Sequence, residues 1–72
     1  RRFAEAIKCH DRVLKINPQY APAWLNKGIN EDQLGLRRDA ATSYRRFIEL
    51  APAEYAETIG KVRQRLRQLE GR

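Results

Sequence analysis

The sequence has few of the residues from which catalytic and metal sites are built. It contains one cysteine, Cys9, one histidine, His10, and no methionine. A single cysteine excludes a disulfide framework within the chain and is typical of a reducing compartment, so a cytoplasmic location is the default expectation. Neighbours on a helix point ~100° apart, so Cys9 and His10 do not converge on one ion. We therefore expect no metal, no cofactor and no enzymatic activity, because no acid, base and nucleophile set can be named.

Long apolar runs and turn residues are also scarce, and the 9 acidic side chains are outnumbered by 15 basic ones. No stretch approaches the ~18 apolar residues of a membrane-spanning helix, and no signal-peptide pattern is present. The 4 glycines and 3 prolines indicate a globular rather than a disordered chain. The net charge of +6 is uneven. Residues 1–36 hold six basic and four acidic groups, whereas residues 37–72 hold nine basic and five acidic groups.

The basic excess is concentrated near the C-terminus, at Lys61, Arg63, Arg65 and Arg67. On a helix Arg63 and Arg67 share one face, and Lys61 and Arg65 share another. No aromatic residues alternate with them to stack on bases. This pattern favours a basic face that is exposed to solvent. A nucleic-acid-binding surface is a further functional alternative, ranked third.

The chain does contain an internal repeat with an offset of 34 residues. Residues 3–18 align with residues 37–52. The identical pairs are Ala6/Ala40, Arg12/Arg46 and Pro18/Pro52, and conservative pairs are Glu5/Asp39, Cys9/Ser43, Val13/Phe47, Leu14/Ile48 and Ile16/Leu50. Other offsets give no comparable match. A period in this range is typical of stacked helical repeats.

One complete unit covers residues 21–54, and its marker residues are Trp24, Gly28, Ala40, Tyr44 and Pro52. This set resembles the tetratricopeptide repeat. Two positions depart from that pattern, with Lys27 in place of a leucine and Glu31 in place of a tyrosine. The resemblance implies an all-α fold, in which antiparallel helix-turn-helix repeats stack into a superhelix that ends in a C-terminal capping helix. It also implies a non-enzymatic module for protein–protein interaction.

The chain divides into three parts: residues 1–18 as the second helix of a truncated repeat, residues 21–54 as the complete repeat, and residues 53–70 as the capping helix. We expect a helix from Arg1 to Ile16, a second that has Pro22 in its first turn and runs to about Leu34, a third from Arg37 to Leu50, and a closing helix from about Ala53 to Leu69. Asn17-Pro18 ends the first helix, and Gly35 forms the turn within the repeat. We expect the chain to be a C-terminal piece of a longer array.

The last helix is predicted to be apolar along one narrow seam. Its apolar residues follow a spacing of 4, 3, 4 and 3 and are Tyr55, Ile59, Val62, Leu66 and Leu69. The rest of the helix is polar. A helix with one apolar face covers the exposed end of a repeat stack, which is the role we expect here.

The resemblance places a partner-binding groove on the first helix of the repeat. The candidate partner-binding residues are Leu25, Asn26, Ile29 and Gln33, with Arg63 and Arg67 available to acidic partners. Leu25 and Ile29 supply an apolar floor, and Asn26 and Gln33 supply hydrogen bonds to a peptide backbone. The alternative is that the apolar pair packs against the closing helix or a neighbouring repeat. A carboxylate clamp of the kind found in this family is not expected, because Ala56 and Gly60 occupy its basic positions.

The alternative function is that of a structural cap or self-association element. The first helix carries an apolar stripe for which the chain provides no preceding helix. The candidate self-association residues are Phe3, Ala6, His10 and Val13. Pairing with a second copy would cover the stripe. We predict an interaction with a protein or peptide partner or a homo-oligomer, and no interaction with a membrane.

Overall fold

The computed structural model describes residues 2–71 and contains four α-helices and no strand within that range. Helix α1 covers Phe3–Ile16, α2 Ala21–Gln33, α3 Arg37–Leu50 and α4 Ala56–Glu70, and a short 3-10 helix, Ala53–Tyr55, precedes α4. The all-α fold predicted from the sequence is confirmed. The predicted bounds of α3 agree with the structure. Pro22 lies in the first turn of α2, as predicted. The described part of α1 begins at Phe3, and Arg1, the predicted start, lies outside the described residues. The first turn of the closing helix is 3-10.

Local chemistry explains where the helices end. Asn17, before Pro18, leaves the helical region with φ −136° and ψ 85°, as expected for a residue that precedes proline. Gly35 adopts φ +80°. The N–H of Leu36 donates to the Glu31 carbonyl at 2.9 Å and that of Gly35 donates to the Asp32 carbonyl at 3.1 Å. These two bonds form a Schellman ending, in which glycine takes the left-handed position.

The helices pack in chain order, with α1 against α2, α2 against α3 and α3 against α4. Burial is greatest on α3, which lies between two neighbours. Phe47 is 0% exposed and its ring stacks on Tyr55 with centroids 5.8 Å apart. The core is formed by Ala21, Ala40, Tyr44, Phe47, Val62 and Leu69. Ala40, Tyr44 and Phe47 lie on α3, so this helix provides half of these core residues.

The closing helix α4 uses its predicted apolar seam. Val62 and Leu69 are buried, and Tyr55, Ile59 and Leu66 pack against the same core from half-buried positions. The interval between these residues brings them to one side of the helix. The seam covers the face of α3 that is not covered by α2.

Candidate functional site

The exposed face of α2 brings together three of the predicted partner-binding residues. Asn26, Ile29 and Gln33 lie within ~60° of one another around the helix axis and are all exposed, Ile29 to 42%. The Asn26 carbonyl accepts a hydrogen bond from the Asn30 side chain at 2.9 Å. Leu25 lies at the edge of this face, half-buried against the core. The face therefore presents one apolar side chain between two amides.

A small cleft opens beside Leu25, between α2 and the start of the closing segment. Its volume is about 160 Å³, and it is lined by Pro22, Leu25, Phe47, Tyr55 and Thr58. Apart from Thr58, the lining side chains are apolar or aromatic. A volume of this size accommodates one aliphatic side chain rather than a cofactor, since cofactor and drug-sized sites occupy ~300–1,000 Å³.

A polar cluster that the sequence did not predict links α4 to α2 through side chains. Arg65 donates from Nε to Asp32 Oδ2 at 2.7 Å and from Nη2 to Asp32 Oδ1 at 2.6 Å. The Tyr44 hydroxyl donates to the same Asp32 Oδ2 at 3.1 Å. The hydrogen bonds from Arg65 hold the pKa of Asp32 below its usual value. Burial and the Asp32 carboxylate raise the pKa of Tyr44, which keeps that hydroxyl a donor.

Arg63 and Arg67 are exposed and lie on a different side of α4. The Arg65 side chain reaches Asp32 of α2, and Arg63 is ~200° from Arg65 around the helix axis. Arg67 is also ~200° from Arg65, in the opposite sense. The structure therefore does not gather these two arginines with the exposed face of α2, and they remain predictions for a separate contact.

A second polar cluster explains the two departures from the repeat pattern. Lys27 forms an ion pair with Asp11 of α1 at 2.8 Å and lies 4.0 Å from Glu31. Glu31 is only 4% exposed and accepts a hydrogen bond from Ser43 of α3 at 2.6 Å. Burial raises the pKa of Glu31, although the Ser43 hydrogen bond and the Lys27 charge oppose that shift. Lys27 and Glu31 thus link three helices where the pattern has an apolar pair.

The predicted self-association residues lie on α1, which packs against α2 alone among the described elements. Phe3, Ala6 and His10 are half-buried, and Val13 is 40% exposed. Ile16, which follows Val13 on the same side, is 87% exposed. The helix therefore has an uncovered apolar stripe. Asp11 is already paired with Lys27, so it does not contribute a charge to that stripe.

The structure gives Cys9 and His10 no shared role. Cys9 is exposed, and His10 is half-buried. No group of three metal-ligating side chains occurs among residues 2–71. Across the same range, no helix has the length and apolar character needed to cross a membrane.

The chain is an all-α protein whose helices pack in consecutive order. This fold is compatible with a helical repeat. No known protein family matches the chain, and no solved structure matches it. A UPF0162 protein from Xylella fastidiosa (strain Temecula1 / ATCC 700964) is 33% identical over 54 residues. The aligned region covers 75% of this chain and 19% of that protein. The chain thus spans about a fifth of the relative's length.

Proposed function

We propose that this chain is a tetratricopeptide-like module that binds a partner protein and catalyses no reaction. The observation that carries the proposal is the apolar cleft of about 160 Å³ between α2 and the closing segment. It lies beside Leu25, at the edge of the face that presents Asn26, Ile29 and Gln33. A partner segment would place one aliphatic side chain in the cleft.

The neighbouring residues suit an extended or helical segment of a partner. Ile29 offers exposed apolar surface one turn along α2 from Leu25. The amides of Asn26 and Gln33 each provide donors and an acceptor for backbone groups. An anchor in a pocket surrounded by polar contacts is the arrangement that concentrates binding energy at protein interfaces.

A random peptide library displayed on phage, selected against the purified chain, tests this proposal. We expect the selected peptides to share one large aliphatic residue. Their affinity for the Ile29→Glu variant should be at least about tenfold lower, since that change places a charge beside the aliphatic side chain in the cleft. Ile16→Glu is the matched control, because Ile16 is exposed on α1. Peptides that respond to Ile16→Glu and not to Ile29→Glu would contradict the proposed site.

Self-association through α1 is the second candidate, and the internal repeat favours it. Val13 corresponds to Phe47 at the 34-residue offset, yet Val13 is 40% exposed and Phe47 is 0% exposed. Phe47 stacks on Tyr55 of the short 3-10 helix, whereas α1 packs against α2 alone among the described elements. A second copy that covers Val13 and Ile16 would recover roughly 1.5–3 kcal/mol for each large side chain fully buried.

Sedimentation equilibrium between micromolar and millimolar concentration tests the second candidate. We expect a reversible dimer that Ile16→Glu dissociates, since the substitution places a charge in the apolar contact. Ile29→Glu, on α2, is the matched control and is expected to leave the dimer intact. A monomer at every concentration, with an unchanged helical spectrum, would exclude self-association while leaving the peptide-binding proposal standing.

A further inference from the structure

A second and larger cleft lies on α3 and the end of α4, and it shares no lining residue with the cleft beside Leu25. Its volume is about 520 Å³. It is lined by Arg37, Arg38, Ala41, Thr42, Arg45, Leu69 and Glu70. Ala41 and Leu69 are buried and form an apolar floor. Three arginines against one glutamate make the surrounding surface positively charged.

The internal repeat explains why this cleft is open. The α1 residues Phe3 and Ile7 are half-buried. Their counterparts 34 residues later are Arg37 and Ala41. A phenylalanine has been replaced by a charged residue, and an isoleucine by a residue with a much smaller side chain. At these two positions α3 therefore offers less apolar volume than α1 does.

The same comparison explains the excess of positive charge. Asp11 of α1 pairs with Lys27 of α2 at 2.8 Å. The residues at the equivalent positions are Arg45 and Lys61, which carry like charges. The contact between α3 and α4 thus has an arginine, Arg45, where the contact between α1 and α2 has the acidic residue Asp11. Arg45 instead pairs with Glu70, at the end of α4.

The arginines around the cleft differ in how many of their hydrogen-bond donors already have partners. Arg37 donates to the carbonyls of Gln68 and Leu69 at 3.3 and 3.1 Å, which fixes its guanidinium at the end of α4. Arg45 is paired with Glu70. Arg38 is exposed, and its guanidinium forms no hydrogen bond or ion pair with any residue from 2 to 71. Arg38 therefore retains all of its donors for a ligand.

We propose that this cleft binds an acidic segment of a partner protein. A carboxylate of that segment is bound by Arg38 and Arg45, and a small apolar side chain of the same segment lies on Ala41 and Leu69. Arginine is suited to this role because its planar guanidinium binds a carboxylate through two parallel hydrogen bonds. The cleft has no aromatic lining residue on which a base would stack, which favours a peptide over a nucleic acid.

Fluorescence anisotropy with a labelled glutamate-rich peptide that contains one central valine tests the proposal. We expect Arg38→Glu to weaken binding by about tenfold or more, as the loss of a charge-assisted contact predicts. Arg12→Glu is the control, since Arg12 is exposed on α1 and its substitution changes the net charge equally. Glu70→Gln frees Arg45 and is expected to tighten binding about threefold.

A change without charge tests the shape of the site. Ala41→Ile gives α3 an isoleucine at the position equivalent to Ile7 of α1. The larger side chain fills the floor of the cleft, so we expect the affinity for the peptide to fall by about tenfold. Circular dichroism verifies that this variant folds, and Arg38→Glu decides the result if it does not.

Three results would overturn the proposal. In the first, the peptide does not bind. In the second, Arg38→Glu and Arg12→Glu weaken its binding equally. In the third, an oligothymidylate of equal charge binds as tightly as the peptide and displaces it. The second result would indicate attraction by net charge alone, and the third would indicate a nucleic-acid surface. Loss of binding with Arg38→Glu but not with Ile29→Glu separates this cleft from the one beside Leu25.

Discussion

Gly28 of α2 lies directly against the ring of Tyr44 of α3. A Cβ atom added at Gly28 would come within 2.8 Å of both Tyr44 Cδ1 and Cε1 and within 3.3 Å of Ser43 Cβ. Tyr44 is itself held by the hydrogen bond from its hydroxyl to Asp32. The close approach of α2 and α3 therefore requires glycine at position 28, as the repeat pattern predicts.

We predict that Gly28→Ala destabilises the chain, even though alanine is the better helix former. The added methyl group forces the Tyr44 ring or the helix axis to move, which costs about 1–3 kcal/mol. Gly60→Ala is the matched control, because no atom lies within 4 Å of a Cβ there. We expect that control to stabilise α4 by about 0.5–1 kcal/mol. Urea unfolding of both variants measures the two free energies, and equal shifts would contradict the close approach.

Trp24→Ala is predicted to abolish cooperative folding. Trp24 packs on the core, donates from its indole N–H to the Pro18 carbonyl at 2.8 Å, and has Lys27 Nζ 5.2 Å from its ring centroid. Truncation of a large aromatic side chain costs about 3–5 kcal/mol, against a total of roughly 4–11 kcal/mol for a domain of this length. Trp24→Phe, which loses the hydrogen bond and keeps most of the packing, should still fold. Thermal melts followed by circular dichroism test both variants, and a normal melt for Trp24→Ala would refute the prediction.

Asp32 is predicted to make the fold sensitive to acid. Its side chain is 15% exposed, and the hydrogen bonds from Arg65 lower its pKa below the ordinary value of 3.8. The unfolded chain therefore binds the proton at a higher pH than the folded chain does, so this stabilisation is present above about pH 4 and is lost as pH falls through the lowered pKa.

Asp32→Asn removes the charged partner of Arg65. We expect a lower melting temperature at neutral pH and a smaller loss of stability between about pH 4 and pH 2, measured by urea unfolding at each pH. Asp39→Asn, on an exposed part of α3, is the control. A profile for Asp32→Asn that is parallel to that of the unsubstituted chain would show that the pair does not stabilise the fold.

Glu31 is predicted to have the opposite effect on the pH dependence. Burial raises its pKa above 4.5, so the folded chain binds the proton more readily than the unfolded chain does. Its contribution to stability is therefore greatest at or below about pH 4.5 and falls as pH rises through the raised pKa. Glu31→Gln should remove this dependence and retain an acceptor for Ser43. An unchanged slope in that pH range, measured by urea unfolding, would contradict the assignment.

Much of the fold could be predicted because its signals are local. The bounds of α3 and the turn at Gly35 follow from residues within a few positions of each other, and the seam of α4 follows from its spacing. The face of α2 with Asn26 and Ile29 could be predicted for the same reason, since a helix fixes which of its side chains share a side. The departures at Lys27 and Glu31 were visible in the sequence, but their partners on α1 and α3 were not.

The sequence by itself determined the helices and their order, because helix periodicity, proline and glycine act over short distances. Only the tertiary structure decided the partners of the charged residues. Arg65 belonged to a basic run in the sequence, yet it binds Asp32, 33 positions earlier. A charge pattern gives the side of a helix on which a residue lies, but the neighbour it meets depends on how the helices cross. The cleft with Arg38 and Arg45 likewise depends on the packing of α3 against α4, which brings Leu69 and Glu70 beside them.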